Sequence, residues 1–203
     1  MSKPATPFQA PERTRERILK AAIIRFSTHS YEATGLRDLA ADVGVDVAYV
    51  HRCFGSKEKL FREALKASMK PERLFAEDGD IAAILSREMM RERGADEIGS
   101  LDIAIRSFSS PDAARVLRDT LMEDFVTPLT ERQQGLSEMR ATLVAAVLGG
   151  VGILKDVIAA GPLRTSRPEQ LEAALAQIIQ EILVSGDDDG ALRHRPHPPK
   201  GTQ

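Results

Sequence analysis

Apolar positions along the chain recur at helical rather than strand spacing. Ile18, Ala22 and Phe26 stand at i, i+4 and i+8, and Leu19 and Ile23 widen the stripe, which predicts an amphipathic helix from Glu12 onward. Thr34 stands where an N-cap hydroxyl would satisfy orphan backbone N–H groups, and Leu36, Leu39, Ala40 and Val43 follow as a short second helix. Gly44 comes directly after the last apolar residue, where a left-handed conformation costs glycine little, and Asp46 can cap a third helix starting at Val47. In that helix Val50 and Phe54 face inward, leaving Val47, Ala48, Tyr49, His51 and Arg52 largely on other faces. Gly55 ends it. Ser56 then caps a fourth helix, with Leu60, Phe61, Ala64 and Leu65 on its buried face, running to about Met69 before Pro71.

Beyond Pro71 no strand-like alternation of useful length occurs, so the remainder reads as helical and the fold class as all-α. Ile81 to Arg93 is expected to form one helix stopped by Gly94, and Leu101 to Phe108 a shorter one. Ser110-Pro111-Asp112 combines a cap, a proline at the first position and an acid near the positive end, and opens a long helix striped by Leu117, Leu121, Phe125 and Leu129. Pro128 should kink that helix. Leu143, Val147, Val151, Leu154 and Ile158 line the next, whose Gly149, Gly150 and Gly152 weaken it while allowing another backbone close approach. Leu171, Ala174, Leu175, Ile178 and Ile182 mark a last helix after Pro168. The expected organisation is a tail at 1–10, a front domain at 11–70 that includes the connecting fourth helix, a larger second domain at 71–185, and a disordered tail at 186–203.

Composition then narrows the function classes. With 42% hydrophobic and 29% charged residues in 203, the chain is that of a globular protein. The single cysteine, Cys53, excludes an internal disulfide framework and a CxxC metal or redox pair, and fits a reducing compartment. The opening residues carry no apolar stretch of secretory length, so the expected location is the cytoplasm. The longest apolar run, Ala141 to Leu154, falls short of the ~20 residues a bilayer span requires, so no membrane partner is expected. The net charge of −2 hides an asymmetry: residues 11–70 hold 12 Lys/Arg against 8 Asp/Glu, whereas residues 71–203 are acidic.

A basic three-helix unit with a glycine turn between two short helices is what a helix-turn-helix requires, because the second of them must enter the major groove. The residues that compose it are an ordered set. They run Ile18-x-x-Ala21-Ala22, Phe26, Tyr31-x-Ala33-Thr34, Leu39-Ala40-x-x-x-Gly44-Val45 and Phe54-Gly55-Ser56-Lys57-Glu58. Over residues 12–66 this set resembles the N-terminal domain of TetR-family transcriptional regulators. The resemblance implies a double-stranded DNA operator as partner, with Thr34 and Lys57 approaching phosphates and the stretch Val47 to Arg52 reaching the groove. The physical reading of the residues runs parallel: Arg37 and Lys57 are cations beside the N-termini of the second and fourth helices, which themselves attract phosphate. Taken singly, Arg37, Arg52 and Lys57 would pass for a solvated helix face; placed together around one motif they read as DNA contacts. Arg52 can hydrogen-bond guanine, Tyr49 can stack or meet a thymine methyl, and His51 can bind a phosphate or a base edge.

The sequence departs from the family pattern in four places. His51 stands for a tyrosine that usually grips phosphate, in a Val-His-Arg form that resembles a variant within the family. Cys53 replaces a usual aromatic, Gly35 a common threonine, and Ser30 a glycine that turns the chain out of the first helix. A left-handed conformation at Ser30 would cost about 1 kcal/mol.

No catalytic constellation occurs in the second domain. His29, His51, His194 and His197 are dispersed, and Gly149-Gly150-Val151-Gly152 lacks the spacing and the Lys-Ser/Thr of a phosphate loop, so neither an enzyme nor a resident metal or cofactor is expected. The resemblance implies instead an apolar effector pocket and a homodimer built through the last two helices, at about Ser137 to Ala160 and Pro168 to Val184. Phe108, Met122 and Phe125, near the Pro128 kink, are the candidate pocket residues, because aromatics and methionines line adaptable cavities. The function implied is a repressor released from a palindromic operator by a small apolar or amphipathic ligand that moves the fourth helix. The rival is a helical ligand-binding or enzymatic protein whose front domain mediates protein contacts.

Overall fold

The computed structural model describes residues 11–75, 78–94 and 97–185, and every regular element among them is helical. The two tails read from the sequence, with His194 and His197, lie outside the described residues. Four helices form the front unit: α1 (Pro11–Thr28), α2 (Leu36–Val43), α3 (Val47–Phe54) and α4 (Lys57–Met69). Ile18, Ala22, Phe26, Leu39, Val50, Phe54, Leu60 and Phe61 are buried together between them. This core reaches past residue 70, taking in Ile103, Ala113 and Val116 from α7 (Ser100–Ile105) and α8 (Pro111–Leu121). A second core gathers Ile81 and Leu85 of α6 (Ile81–Met90), Leu129 of α9 (Thr127–Arg132), Val144 and Leu148 of α10 (Glu138–Gly152), and Leu175 and Ile179 of α12 (Pro168–Val184). Two short helices that periodicity does not reveal, α5 (Pro71–Phe75) and α11 (Gly161–Thr165), complete the set.

Several local expectations are corrected. Gly35, not Thr34, is the N-cap of α2: its N–H donates to Asp38 Oδ2 at 2.9 Å, so the first-turn carboxylate does the capping from within the helix. Thr34 is fully buried, and its hydroxyl donates to the Ser30 carbonyl at 3.1 Å. Ser30 does not adopt a left-handed conformation, which among the described non-glycine residues is confined to Lys70 and Ala159. Its hydroxyl accepts from the Ala33 N–H at 3.2 Å and turns the chain by a side-chain hydrogen bond in place of a positive φ. Helix α6 stops at Met90, three residues before the expected end, because Arg91 and Arg93 leave the helix to pair with Glu97 and Asp102. Helix α7 likewise ends at Ile105 and gives way to turns before Ser110.

The stop after α8 is not a simple kink. A π turn at Met122–Val126 intervenes, closed by the Thr127 N–H donating to the Met122 carbonyl. Pro128 has no N–H to donate and its ring crowds the carbonyl four residues back, that of Asp124, so a widened turn there relieves the crowding. A second π turn, Ile153–Val157, follows α10. The stripe Leu143, Leu154 and Ile158 turns outward. Arg140, Ala141, Val144, Leu148 and Gly152 form the buried face of α10 instead. Arg140 is buried beside the C-terminus of α12, donating to the carbonyls of Ile182, at 2.8 Å, and of Leu183. It thereby satisfies two orphan acceptors and complements that helix dipole.

Ala159 sits at φ +57 in the link to α11. Ala159→Gly is expected to stabilise the chain by about 1 kcal/mol, seen as a rise in Tm of roughly 2–4 °C; an unchanged melting curve would refute strain at this position.

Candidate nucleic-acid interface and a cavity

The turn between α2 and α3 is built by backbone geometry. Gly44 lies at φ +73, ψ +39; its N–H reaches the Ala41 carbonyl, and the Val45 N–H reaches that of Ala40 at 2.9 Å. This pair of bonds is the Schellman arrangement, which a residue with a Cβ would disfavour. Arg17 donates to the Val43 carbonyl at 2.9 Å and holds α1 against the same corner. Asp46 then caps α3 by accepting from the Ala48 N–H at 2.7 Å.

Burial of Val50 and Phe54 fixes the rotation of α3 and presents the opposite side outward. Ala48, His51 and Arg52 are exposed, while Val47 and Tyr49 are half-buried along the edge of the core. The Arg52 guanidinium lies 5.3 Å from the centroid of the Tyr49 ring, a cation–π contact that pre-orients both side chains. His51 Nδ1 stands 3.2 Å from the Gly55 carbonyl. A carbonyl only accepts, so Nδ1 carries the hydrogen and the outward Nε2 of the neutral ring is an acceptor. Half-buried Cys53 packs against the front core, and the Arg15 guanidinium covers the Phe54 ring at 4.6 Å.

Cations flank this helix. Lys57, at the start of α4, holds its ammonium 4.1 Å from the centroid of Tyr31. Tyr31 is locked edge-on to Phe61 at 5.0 Å, and its phenol is pushed up to about 12, chiefly by burial and then by the negative charges of Glu58, Asp112 and Glu32. The ring therefore stays neutral and serves as a platform for the cation. Arg37 is exposed in the first turn of α2, and its guanidinium has no hydrogen bond or ion pair among the described residues. Arg37, Val47, Ala48, Tyr49, His51, Arg52 and Lys57 thus belong to the α2–α3 corner and its α4 flank. Thr34, buried, serves the turn into α2.

A cavity of about 250 Å³ lies where α4 meets the second core. Ser68 and Met69 at the end of α4 line it, with Leu85 and Met89 of α6, Leu101 of α7, Leu121 of α8, and Leu148 and Gly149 of α10. Phe125 enters from the first π turn and Asp156 from the second. Of the three residues expected at a pocket, Phe125 is in the wall, whereas Met122 packs half-buried against the second core. Phe108 is 56% exposed in the turns after α7 and lines no part of the cavity, since α7 ends before it. The glycines of α10 are also reassigned: a Cβ at Gly152 would meet Leu101 Cδ1, a side chain, at 2.5 Å, while Gly149 has no atom within 4 Å of such a Cβ. The Met89-Met90 pair and the glycine run were the signals in the sequence, and neither identifies its partners.

An ionic lattice closes one end. Arg91 donates to both oxygens of Glu97 at 2.9 Å and to Glu88 at 2.8 Å. The Arg91 guanidinium and then the Lys70 ammonium hold the Glu97 carboxyl well below the usual carboxylate range. Arg93 bridges Asp102 at 2.8 Å and Asp156 at 2.9 Å.

Between cavity and front unit runs a ladder of ion pairs along α4. Glu58 meets Arg115 at 2.6 Å, Arg62 meets Glu123, and Lys66 meets Asp124 at 2.7 Å. The last two carboxylates sit in the same π turn as Phe125, so adjacent residues of one turn face α4 and the cavity.

Comparison with known proteins agrees with this arrangement. A family model described as bacterial regulatory proteins, tetR family, matches residues 18–64, and one described as tetracyclin repressor-like, C-terminal domain, matches residues 79–183. No curated protein sequence matches significantly. Among solved structures, a TetR-family regulator from Streptomyces coelicolor is 26% identical with a TM-score of 0.63, over 89% of this chain and 100% of that one. NalD, the secondary repressor of the MexAB-OprM multidrug efflux pump in Pseudomonas aeruginosa, is 20% identical with a TM-score of 0.59, over 84% and 96%. The multidrug binding protein EbrR, solved with proflavin, is 19% identical with a TM-score of 0.54, over 83% and 99%.

Proposed function

The chain belongs to the TetR family of bacterial regulatory proteins, and on that premise we propose that it is a homodimeric repressor released from a palindromic operator by a small ligand. The observation that carries the reading is the shared π turn, where Phe125 lines the cavity while Glu123 and Asp124 hold α4. A ligand that displaces Phe125 disturbs the ion pairs that orient α4, and α4 leads directly to the reading helix α3. Ligand and operator therefore oppose one another through a single two-position element, and each must weaken the other by the same factor.

Arg37 and Lys57 clamp phosphates on either side of the major groove, and α3 enters it. Arg52, held against Tyr49, is the base reader; His51, with an accepting Nε2, suits a base amino group in its neutral form. The apolar side chains of α10 and α12 left uncovered in the protomer, among them Met139, Leu143 and Ile178, form the dimer seam that sets the spacing of two reading helices.

Filling the cavity tests ligand release. Gly149→Leu, on the stripe that also carries Ala145 and Gly152, adds bulk where no atom stands within 4 Å and removes a helix-interior glycine worth roughly 0.5–1 kcal/mol. It is expected to bind operator like the parent and to ignore compounds that release the parent. Undiminished release from the Gly149→Leu chain would refute the cavity as the effector site.

A further inference from the structure

Resting on the effector reading above, we propose that the ligand is an amphipathic anion, with a hydrocarbon body in the inner cavity and a carboxylate or phosphate head in a second, polar chamber beyond it. That chamber, of about 410 Å³, lies across a wall made by Arg91, Arg93 and Asp156, which line both spaces. The inner space is walled mainly by Leu, Met and Phe side chains. The outer one is lined by Arg91, Arg93, Lys155 and Arg164 and, among the described residues, by the carboxylates of Glu92 and Asp156. Arg91 is already held by Glu88 and Glu97 and Arg93 by Asp102 and Asp156, so Lys155 and Arg164 are the cations with donors to spare. A molecule spanning the wall therefore passes from a largely apolar compartment into one where two cations, Lys155 and Arg164, keep unused donors.

The disposition of those cations favours an anion over a cation or a neutral head. The Arg164 guanidinium has no hydrogen bond or ion pair among the described residues, and Arg164 is exposed. Lys155 gives one donor to the Met89 carbonyl at 2.9 Å and stands 3.6 Å from Asp156, leaving a third N–H for a ligand. A cationic head would find Asp156 already held between Arg93 and Lys155, and Glu92 alone to balance it. An acidic head accepts from Lys155 and Arg164 by charge-assisted hydrogen bonds and competes with Asp156 for Arg93. The second π turn, which carries both Lys155 and Asp156, places this competition where backbone geometry is adjustable.

Titration calorimetry of the full chain with dodecanoate, dodecyl phosphate, dodecanol and dodecyltrimethylammonium, all below micelle formation, decides the matter. The parent is expected to bind at least one of the two anions about tenfold more tightly than the alcohol, the worth of one charge-assisted hydrogen bond, and the ammonium most weakly. The carboxylate and phosphate arms separate the two kinds of head. Arg164→Gln should lower anion affinity about tenfold and leave the alcohol unchanged, while Gly149→Leu should weaken every compound. Equal binding of anion, alcohol and ammonium, or anion affinity indifferent to Arg164→Gln, overturns the head-group assignment; if Gly149→Leu still abolishes binding, the effector cavity stands. Binding that Gly149→Leu leaves intact defeats the cavity reading itself, and no binding of any compound overturns the proposed ligand class.

Discussion

A chain carrying Leu143→Asp and Ile178→Asp is expected to stay folded as a monomer and to lose about 10²–10⁴ in operator affinity, the advantage of binding two linked half-sites together. Both side chains are about half exposed in the protomer, at 48% and 46%, so neither substitution removes core packing. Met139 one turn before Leu143, Ile158 after the second π turn and Val184 at the end of α12 are also at least 60% exposed. Such a surface is costly to leave against water and is covered when a second copy docks. Two carboxylates buried there without partners would oppose docking by several kcal/mol each. Sedimentation should report a single protomer with a helical spectrum like the parent's, and anisotropy on operators selected from a random DNA pool should show the loss. A dimer that persists, or unaltered operator affinity of a proven monomer, would defeat the assigned seam.

Arg52→Ala is the second large effect. Removing a guanidinium that reads a base should cost about 1–3 kcal/mol per half-site and flatten the preference at one base pair. The Tyr49 ring, itself packed against the front core, holds this guanidinium in place before DNA arrives. Lys57→Ala gives the contrasting result. It should weaken binding to all sequences alike and reduce the slope of log K against log salt by about 0.9 for each phosphate no longer neutralised. Site selection with the Arg52→Ala chain that returns the parental consensus at parental affinity would remove Arg52 from base reading.

The front unit was legible because its signals are local. Gly44, Asp46 and Ser56 act within two or three residues of where they stand, and Ser110-Pro111-Asp112 opens α8 for the same reason. Ser30 and Thr34 misled because more than one side-chain hydrogen bond can turn a chain, and the choice here rests on Asp38 and on backbone atoms. For α10 the difficulty was different. It is apolar nearly all round, with Ala141, Val144 and Leu148 inside the protomer and Met139 and Leu143 outside, so periodicity alone does not rank its faces. Cavity membership depends on helices distant in sequence. Phe125 lies in the wall and Phe108 does not because the first π turn projects inward while α7 ends at Ile105.

The π turn at Met122–Val126 has a consequence for how such a regulator evolves. The widened turn is tied to Pro128, so substitutions around Pro128 alter how strongly it is favoured over an ordinary helical turn. Under the proposed ligand release, sensitivity can thus drift up or down through residues next to Pro128, which lie outside the cavity wall. Descendants inherit an adjustable gain while recognition at both ends is preserved.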